Sequence, residues 1–405
     1  MQRIIFYLAV AAACTGCLNK QGQTVQEASA KTELSVDDQL ISRSFTRAEA
    51  QLLRACDSLP EANAFPRSLT EDGALLAVSS GNWVSGFFPG SLWQLYQYKQ
   101  DGQIKDQAIR WTEALEKEQF NTSTHDVGFI LNCSFGNAYL ATGNEQYKNI
   151  LVQGAKSLLT RYNENVGSLK SWDWSDEWKF PVIADNMMNL ELLFRATEYT
   201  GDSLYYNIAK THALTTLKNH FREDNGSFHV VDYDPETGEV LEKVTHQGLN
   251  DSSTWARGEA WLLYGYTMCY RETGEEAFKS QAEKIATFVM ENPAMPSDKI
   301  PYWDYNLESL EGQPRDASAA AINASALVEL AKLVPEKRAT YLAYAIDILT
   351  SLSSEKYLAD KHAAHVFVLE HSTGNKPNDS EVDVPLAYAD YYYLEALNRL
   401  SSLKQ

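Results

Sequence analysis

From residue 45 onward, apolar positions recur at helical spacing in long stretches separated by short turns. Three of these stretches end alike, in Tyr139-Leu-Ala-Thr-Gly143, Ala196-Thr-Glu-Tyr-Thr-Gly201 and Tyr270-Arg-Glu-Thr-Gly274. A glycine in that place takes the left-handed conformation that closes a helix, and the polar residue behind it caps the next. Asp101-Gly102 and the turn at Pro335 read as diverged copies of the same punctuation. Helices joined by such tight turns pack as antiparallel pairs. The pattern predicts helices at 45–58, 87–99, 103–119, 128–141, 145–160, 185–199, 203–220, 254–272, 275–291, 317–333, 337–353 and 386–401.

The helices before the tight turns are richer in apolar and small residues (NMMNLELLF, ASAAAINASALVEL). Those after them carry more charge (TEALEKEQF, SQAEKIATFV). A helix apolar most of the way round is buried, and one with a charged face lies outside. Six inner helices sheathed by six outer ones make an all-α (α/α)6 barrel, with the first helix packed beside the last. An open solenoid of helical hairpins fits less well, because it needs fewer long connections than this chain has. The long returns, 161–184, 221–253, 292–316 and 354–385, all precede an inner helix. Small β-hairpins are expected in two of them: 226–231 with 240–244, and 364–370 before Thr373-Gly374. Long loops gathered at one end of a rigid scaffold are the expected seat of function.

Composition narrows the partners. The 405 residues are 44% hydrophobic and include 22 Tyr and 9 Trp, compatible with one large core. The formal charge of −19 excludes a nucleic-acid partner, which requires a basic footprint. An anionic ligand must then be captured by local donors rather than by the field of the whole molecule. Cys56, Cys133 and Cys269 lie far apart in apolar helical contexts with no Cys/His metal spacing, and read as buried free thiols.

The chain begins MQRIIFYLAVAAACTGC. Arg3, a short apolar run and a small-residue site before Cys17 form a secretory signal too short to span a bilayer. A cysteine at the cleavage point resembles a bacterial lipoprotein signal, although Cys14 stands where leucine is usual. The expected organisation is a signal peptide at 1–16, lipidation of Cys17, a polar tether at 17–44 and a single (α/α)6-barrel domain at 45–405. The membrane is then met only through a lipid anchor, and the protein faces the periplasm or cell surface of a Gram-negative bacterium.

The predicted inner-helix starts carry polar and aromatic residues unusual for a helical core. Asn82-Trp83 and Ser85 precede the first, and His125-Asp126 the second. Trp172, Trp174 and Trp178 come before Asp185-Asn186 at the third, and Asp316 opens the fifth. His229 lies ahead of the densest stretch, HQGLNDSSTWARGEAWLLY at 246–264, which holds Gln247, Trp255, Arg257 and Trp261. Aromatic rings stack on sugar faces and a guanidinium pairs with carboxylate, so this combination suits an acidic sugar. Each Asp also has a plainer reading as an N-cap. Asp126 and Asp185 open adjacent inner helices, whose axes should lie about 8–10 Å apart. Their carboxylates could then converge and push their pKa values apart.

Four segments carry a resemblance: Asn82-Trp-Val-Ser-Gly-Phe-Phe-Pro-Gly90, His125-Asp-Val-Gly-Phe129, Asp185-Asn-Met-Met-Asn189 and Asp251-Ser-Ser-Thr-Trp-Ala-Arg-Gly-Glu-Ala-Trp261. They are similar, in order across residues 45–401, to the unsaturated glucuronyl hydrolases, glycoside hydrolase family 88. The resemblance implies an (α/α)6 barrel acting on oligosaccharides that carry a 4,5-unsaturated uronic acid at the non-reducing end. The implied reaction is hydration of the C4=C5 vinyl ether. Asp185 would be the general acid/base and Asp126 the second essential acid. Trp83, His125, His229, Gln247, Trp255, Arg257 and Trp261 would line the pocket, with Arg257 on the uronate carboxylate. No metal or cofactor is implied. A Ser-x-x-Ser-x-Lys sulfate grip found in some relatives is matched only by His371-Ser-Thr-Gly-Asn-Lys376, which puts sulfate tolerance in doubt. The alternatives are an unsaturated rhamnogalacturonyl hydrolase of the same chemistry and, from another class, a non-catalytic sugar-binding lipoprotein.

Overall fold

A computed structural model describes residues 38–403. The signal peptide, Cys17 and most of the expected tether lie outside them. Helix α1 (Asp38–Ser58) is followed by the hairpin β1 (Phe65–Leu69) and β2 (Leu75–Val78), then α2 (Phe87–Lys99) and α3 (Gly102–Glu113). Next come α4 (Val127–Leu131), a π-helical segment (Asn132–Gly136), α5 (Asn137–Thr142) and α6 (Glu145–Leu159). The short pair β3 (Tyr162–Asn163) and β4 (Ser168–Leu169) precedes β5 (Pro181–Ile183), α7 (Asn186–Thr200) and α8 (Ser203–Asn219). Then follow β6 (Val230–Tyr233), β7 (Val240–Val244), α9 (Ala256–Thr273) and α10 (Glu276–Glu291). The chain continues with α11 (Ala317–Leu333), α12 (Arg338–Leu352), the hairpin β8 (Ser372–Asn375) and β9 (Ser380–Val384), and α13 (Ala387–Ser402).

The architecture is an (α/α)6 barrel. The inner ring runs α2, α4–α5, α7, α9, α11 and α13, each packed on the next, and α13 closes it against α2. The outer helices α3, α6, α8, α10 and α12 cover it, and α1 completes the layer against α2 and α13. Inner helices are apolar on all sides because they have neighbours on all sides: α11 buries every residue from Ala317 to Val328. The tight turns carry the expected chemistry. Gly143, Gly201 and Gly274 sit at φ of 65°, 73° and 68°, and Asn144 and Asp202 then cap the following helices with their side chains. At the diverged copy, Gln100 takes the left-handed position (φ 56°) and Asp101 caps α3.

Four expectations need correction. Helix α1 starts at Asp38, so 38–44 is helical rather than tether, with Ile41 and Ser44 buried. The helix expected at 103–119 ends at Glu113 and passes into a 3-10 turn, Glu116–Phe120. The strand expected at 226–231 begins at Val230, and β5 joins β6 and β7 to make three strands rather than two. The second hairpin is 372–375 with 380–384, later than the expected 364–370, where only Leu369 forms an isolated bridge, to Leu358. Cys56, Cys133 and Cys269 are buried free thiols, as read.

Candidate active site

Two networks hold the starts of α4 and α7 together. Asn189 on α7 accepts from Phe129 N at 2.7 Å, and Gly128 leaves room for this approach: a Cβ there would lie 2.5 Å from Asn189 Cα. Asn186 donates to Leu169 O (2.8 Å) and Ser171 Oγ (3.1 Å), which fixes its amide orientation. Its Oδ1 can therefore only accept, and it takes the hydrogen bond of His125 Nδ1. The other ring nitrogen, Nε2, lies 3.2 Å from Asp126 Oδ1. Thr124 donates to Asp126 Oδ2 at 2.7 Å.

Asp185 and Asp126 occupy N-cap positions, but neither carboxylate caps its helix. Asp185 Oδ2 is buried without a hydrogen-bond partner and faces His229 Nε2 at 3.6 Å. His229 Nδ1 accepts from the backbone N–H groups of His246 (3.2 Å) and Gln247 (3.3 Å). That assigns the ring proton to Nε2 and aims it at Asp185. The His229 carbonyl in turn accepts from Ala184 N at 3.0 Å, so β6 positions both partners. The charge states are pushed apart. Burial, with a smaller contribution from Asp185, raises Asp126 above the ordinary carboxylate range against the pull of His125 and Thr124. Burial acts the same way on Asp185, but His229, His125 and Arg257 together outweigh it and hold this carboxyl low.

Both acids line a cavity of about 250 Å³ at the inner-helix starts, with Trp83, His125, Gln247 and Arg257 also in its wall. His229 stands behind Asp185. Trp255 and Trp261 do not line the cavity. Trp255 (3% exposed) stacks on His229 and Arg257, and Trp261 (0%) packs against Phe129 and Tyr392 in the barrel interior. The aromatic wall is supplied instead by Trp172, Trp174 and Tyr388. Trp172 and Trp174 stack at 5.0 Å beside His246, whose pKa burial pushes down to about 4. The expectation for Arg257 also changes. Its Nη1 donates to Asp316 (3.3 Å) and Thr373 O, its Nη2 to Gly374 O (2.6 Å), and the residue is 1% exposed. Its fork ties β8 to α9 rather than standing open to a carboxylate. Asp316 caps α11 through Ser318 N and Ala319 N, the plain N-cap reading.

The sequence reading placed Trp172, Trp174 and His246 at this mouth without a binding role, and it missed Tyr388, Arg67 and Glu381. Tyr388 is hidden in the apolar run of α13, and Arg67 sits on a strand in a segment without helical periodicity. Lys376 pairs with Asp379 at 3.1 Å and is not in the cavity wall. A larger cavity, about 390 Å³, lies toward the other end of the inner helices. Glu191, Arg195, Arg271 and Arg399 of its lining form an ion-pair network that includes Glu329. No cluster of metal-ligating side chains occurs among the described residues.

The chain has counterparts. The sequence model of Glycosyl Hydrolase Family 88 matches residues 63–394. An unsaturated glucuronyl hydrolase of Formosa agariphila is 46% identical over 370 residues, 91% of this chain and 92% of that one. Among solved structures, an unsaturated glucuronyl hydrolase specific for heparin superposes with a TM-score of 0.89 at 47% identity, covering 91% of this chain and 98% of the other. A Streptococcus agalactiae unsaturated glucuronyl hydrolase variant complexed with dGlcA-GalNAc6S gives 0.76 at 30% identity, covering 89% and 90%.

Proposed function

This chain belongs to glycosyl hydrolase family 88, and on that premise we propose that it removes the 4,5-unsaturated uronic acid from the non-reducing end of polysaccharide-lyase products by hydrating the C4=C5 bond. One observation supports the chemistry above all: two carboxyls, Asp185 buried and Asp126 half-buried, face one cavity with their proton affinities driven in opposite directions. Asp185 gives a proton to C4, leaving oxocarbenium character at C5. Water adds to C5 and returns its proton to Asp185. The resulting hemiketal expels the ring oxygen, and the hemiacetal left at C1 releases the remaining saccharide. His229, His125 and Arg257 hold Asp185 low, and a substrate carboxylate brought beside it would raise its proton affinity toward that of a proton donor. Arg257, neutralised by Asp316, shapes the wall and its field. The names of the relatives favour glucuronyl over rhamnogalacturonyl fragments.

The test is loss of the ultraviolet absorbance of the conjugated double bond with lyase-digested hyaluronan, chondroitin sulfate, heparin, alginate, ulvan and pectin. Asp185→Asn should lower kcat by at least about 10²–10⁴-fold with the circular dichroism unchanged. Turnover within about tenfold of wild type would remove Asp185 from its role. We infer further, from Arg3 to Cys17, that the enzyme is lipid-anchored and faces the periplasm or cell surface.

A further inference from the structure

The wall of the catalytic cavity contains two guanidinium groups, and they differ in availability. Arg257 is buried and committed to α11 and β8. Arg67, on β1, has a side chain 23% exposed and pairs with one carboxylate only, Glu381 on β9, through Nε at 2.7 Å and Nη2 at 2.8 Å. Its Nη1 makes no hydrogen bond among the described residues. The greater exposure puts Arg67 at the rim, while Asp185, His125 and Arg257 form the floor. Glu381 is held at a cost: it takes φ +55° without being glycine. His371, Asp379 and Asp383 of the same hairpin are also left-handed. The Glu381 side chain lies directly over Gly374, where a Cβ would come within 2.8 Å of its carboxylate.

We propose that Arg67 binds an oxyanion substituent of the saccharide beyond the uronic acid, and that Glu381 competes with it for the guanidinium. Two groups of this chemistry occur on such substrates, a sulfate on the second sugar and the carboxylate of a further uronate. The inference rests on the reaction class proposed above. Only a substrate whose anionic group reaches the rim displaces Glu381, so the pair sets the preference among lyase products.

The experiment compares unsaturated chondroitin disaccharide with its 6-sulfated form, and heparin-type disaccharides with and without N-sulfate. The corresponding unsulfated tetrasaccharide reports on the second carboxylate. The readout is the ratio of KM for the anionic member to that for the plain disaccharide. Arg67→Gln should raise that ratio by about tenfold or more, the worth of a bidentate charge pair, and Arg67→Lys should restore part of it. Glu381→Gln should lower it, because the competitor is gone. A ratio unchanged in Arg67→Gln, or raised equally by both glutamine variants, overturns the proposal and leaves the pair as a brace for the hairpin. If wild type turns over no member, the reaction class is wrong. Calorimetric binding of the same saccharides to wild type and Arg67→Gln then decides the Arg67 question separately.

Discussion

Asp126, Asp185 and Asp316 each stand at the N-cap of an inner helix, yet only Asp316 gives its carboxylate to the helix. The other two are turned to the cavity, and their neighbours set their charge: His229, His125 and Arg257 hold Asp185 low, while burial lifts Asp126. Residue type and chain position are the same in all three, but only Asp316 has an extended backbone (φ −126°, ψ 89°), whereas Asp185 is already helical (φ −60°, ψ −26°). Glu259, fully buried on α9, allows such an environment to be measured. Its Oε2 accepts from Ser227 N (3.1 Å) and Oγ (2.5 Å), its Oε1 has no hydrogen-bond partner, and burial raises its pKa from 4.5 to about 7. The folded chain thus keeps a proton that the unfolded chain loses near 4.5. Stability must fall as pH rises through the window from about 4.5 to about 7. Glu259→Gln keeps an acceptor for Ser227 and removes the titration. Its stability relative to wild type should rise between about pH 5 and about pH 8, by on the order of 1–3 kcal/mol. A difference that is flat across that range in urea titrations would mean Glu259 ionises normally.

At the scale of elements, the inner ring closes through small residues. Gly128 on α4 meets Asn189 on α7, and Gly265 on α9 meets Met187, where an added Cβ would lie 2.5 Å away in each case. Gly128→Ala should cost about 1–3 kcal/mol of stability and lower kcat, because it pushes the start of α4, and with it Asp126, away from α7. Stability within about 0.5 kcal/mol of wild type in denaturant titrations would show that the two helices separate without penalty. The helices themselves were legible in advance, since each buries a continuous apolar stripe and ends on a residue with a physical reason to be there. The loops were less so. The return at 354–385 carries its hairpin later than its apolar run suggested, because Arg257 and Gln247 hold Gly374 O from another element. Long-range bonds of that kind leave no periodic trace.

At the scale of the molecule, a formal charge of −19 repels an acidic saccharide, so capture depends on local donors at the mouth rather than on the field of the whole molecule. Lipidation at Cys17 would hold this negative body at a membrane by a polar tether. Cys17→Ala should move the protein from the membrane to the soluble fraction of cells without changing kcat. Retention in the membrane fraction would discard the anchor.

The sequence by itself determined the helical pairs, their inner and outer assignment and the gathering of long loops at one end, because periodicity, charge and glycine turns act over a few residues. It also brought Asp126, Asp185 and His125 forward through the motifs that carry the family resemblance. Only the tertiary structure decided which side chains of those motifs face the cavity. Trp255 and Trp261 turn inward, Arg257 is occupied by Asp316 and two carbonyls, and Trp172, Trp174, Tyr388 and Arg67 take the wall. The reason is geometric. A helix start offers several side-chain directions, and the choice between core and cavity is made by neighbours from α4, α11, α13 and two hairpins that are remote in the chain.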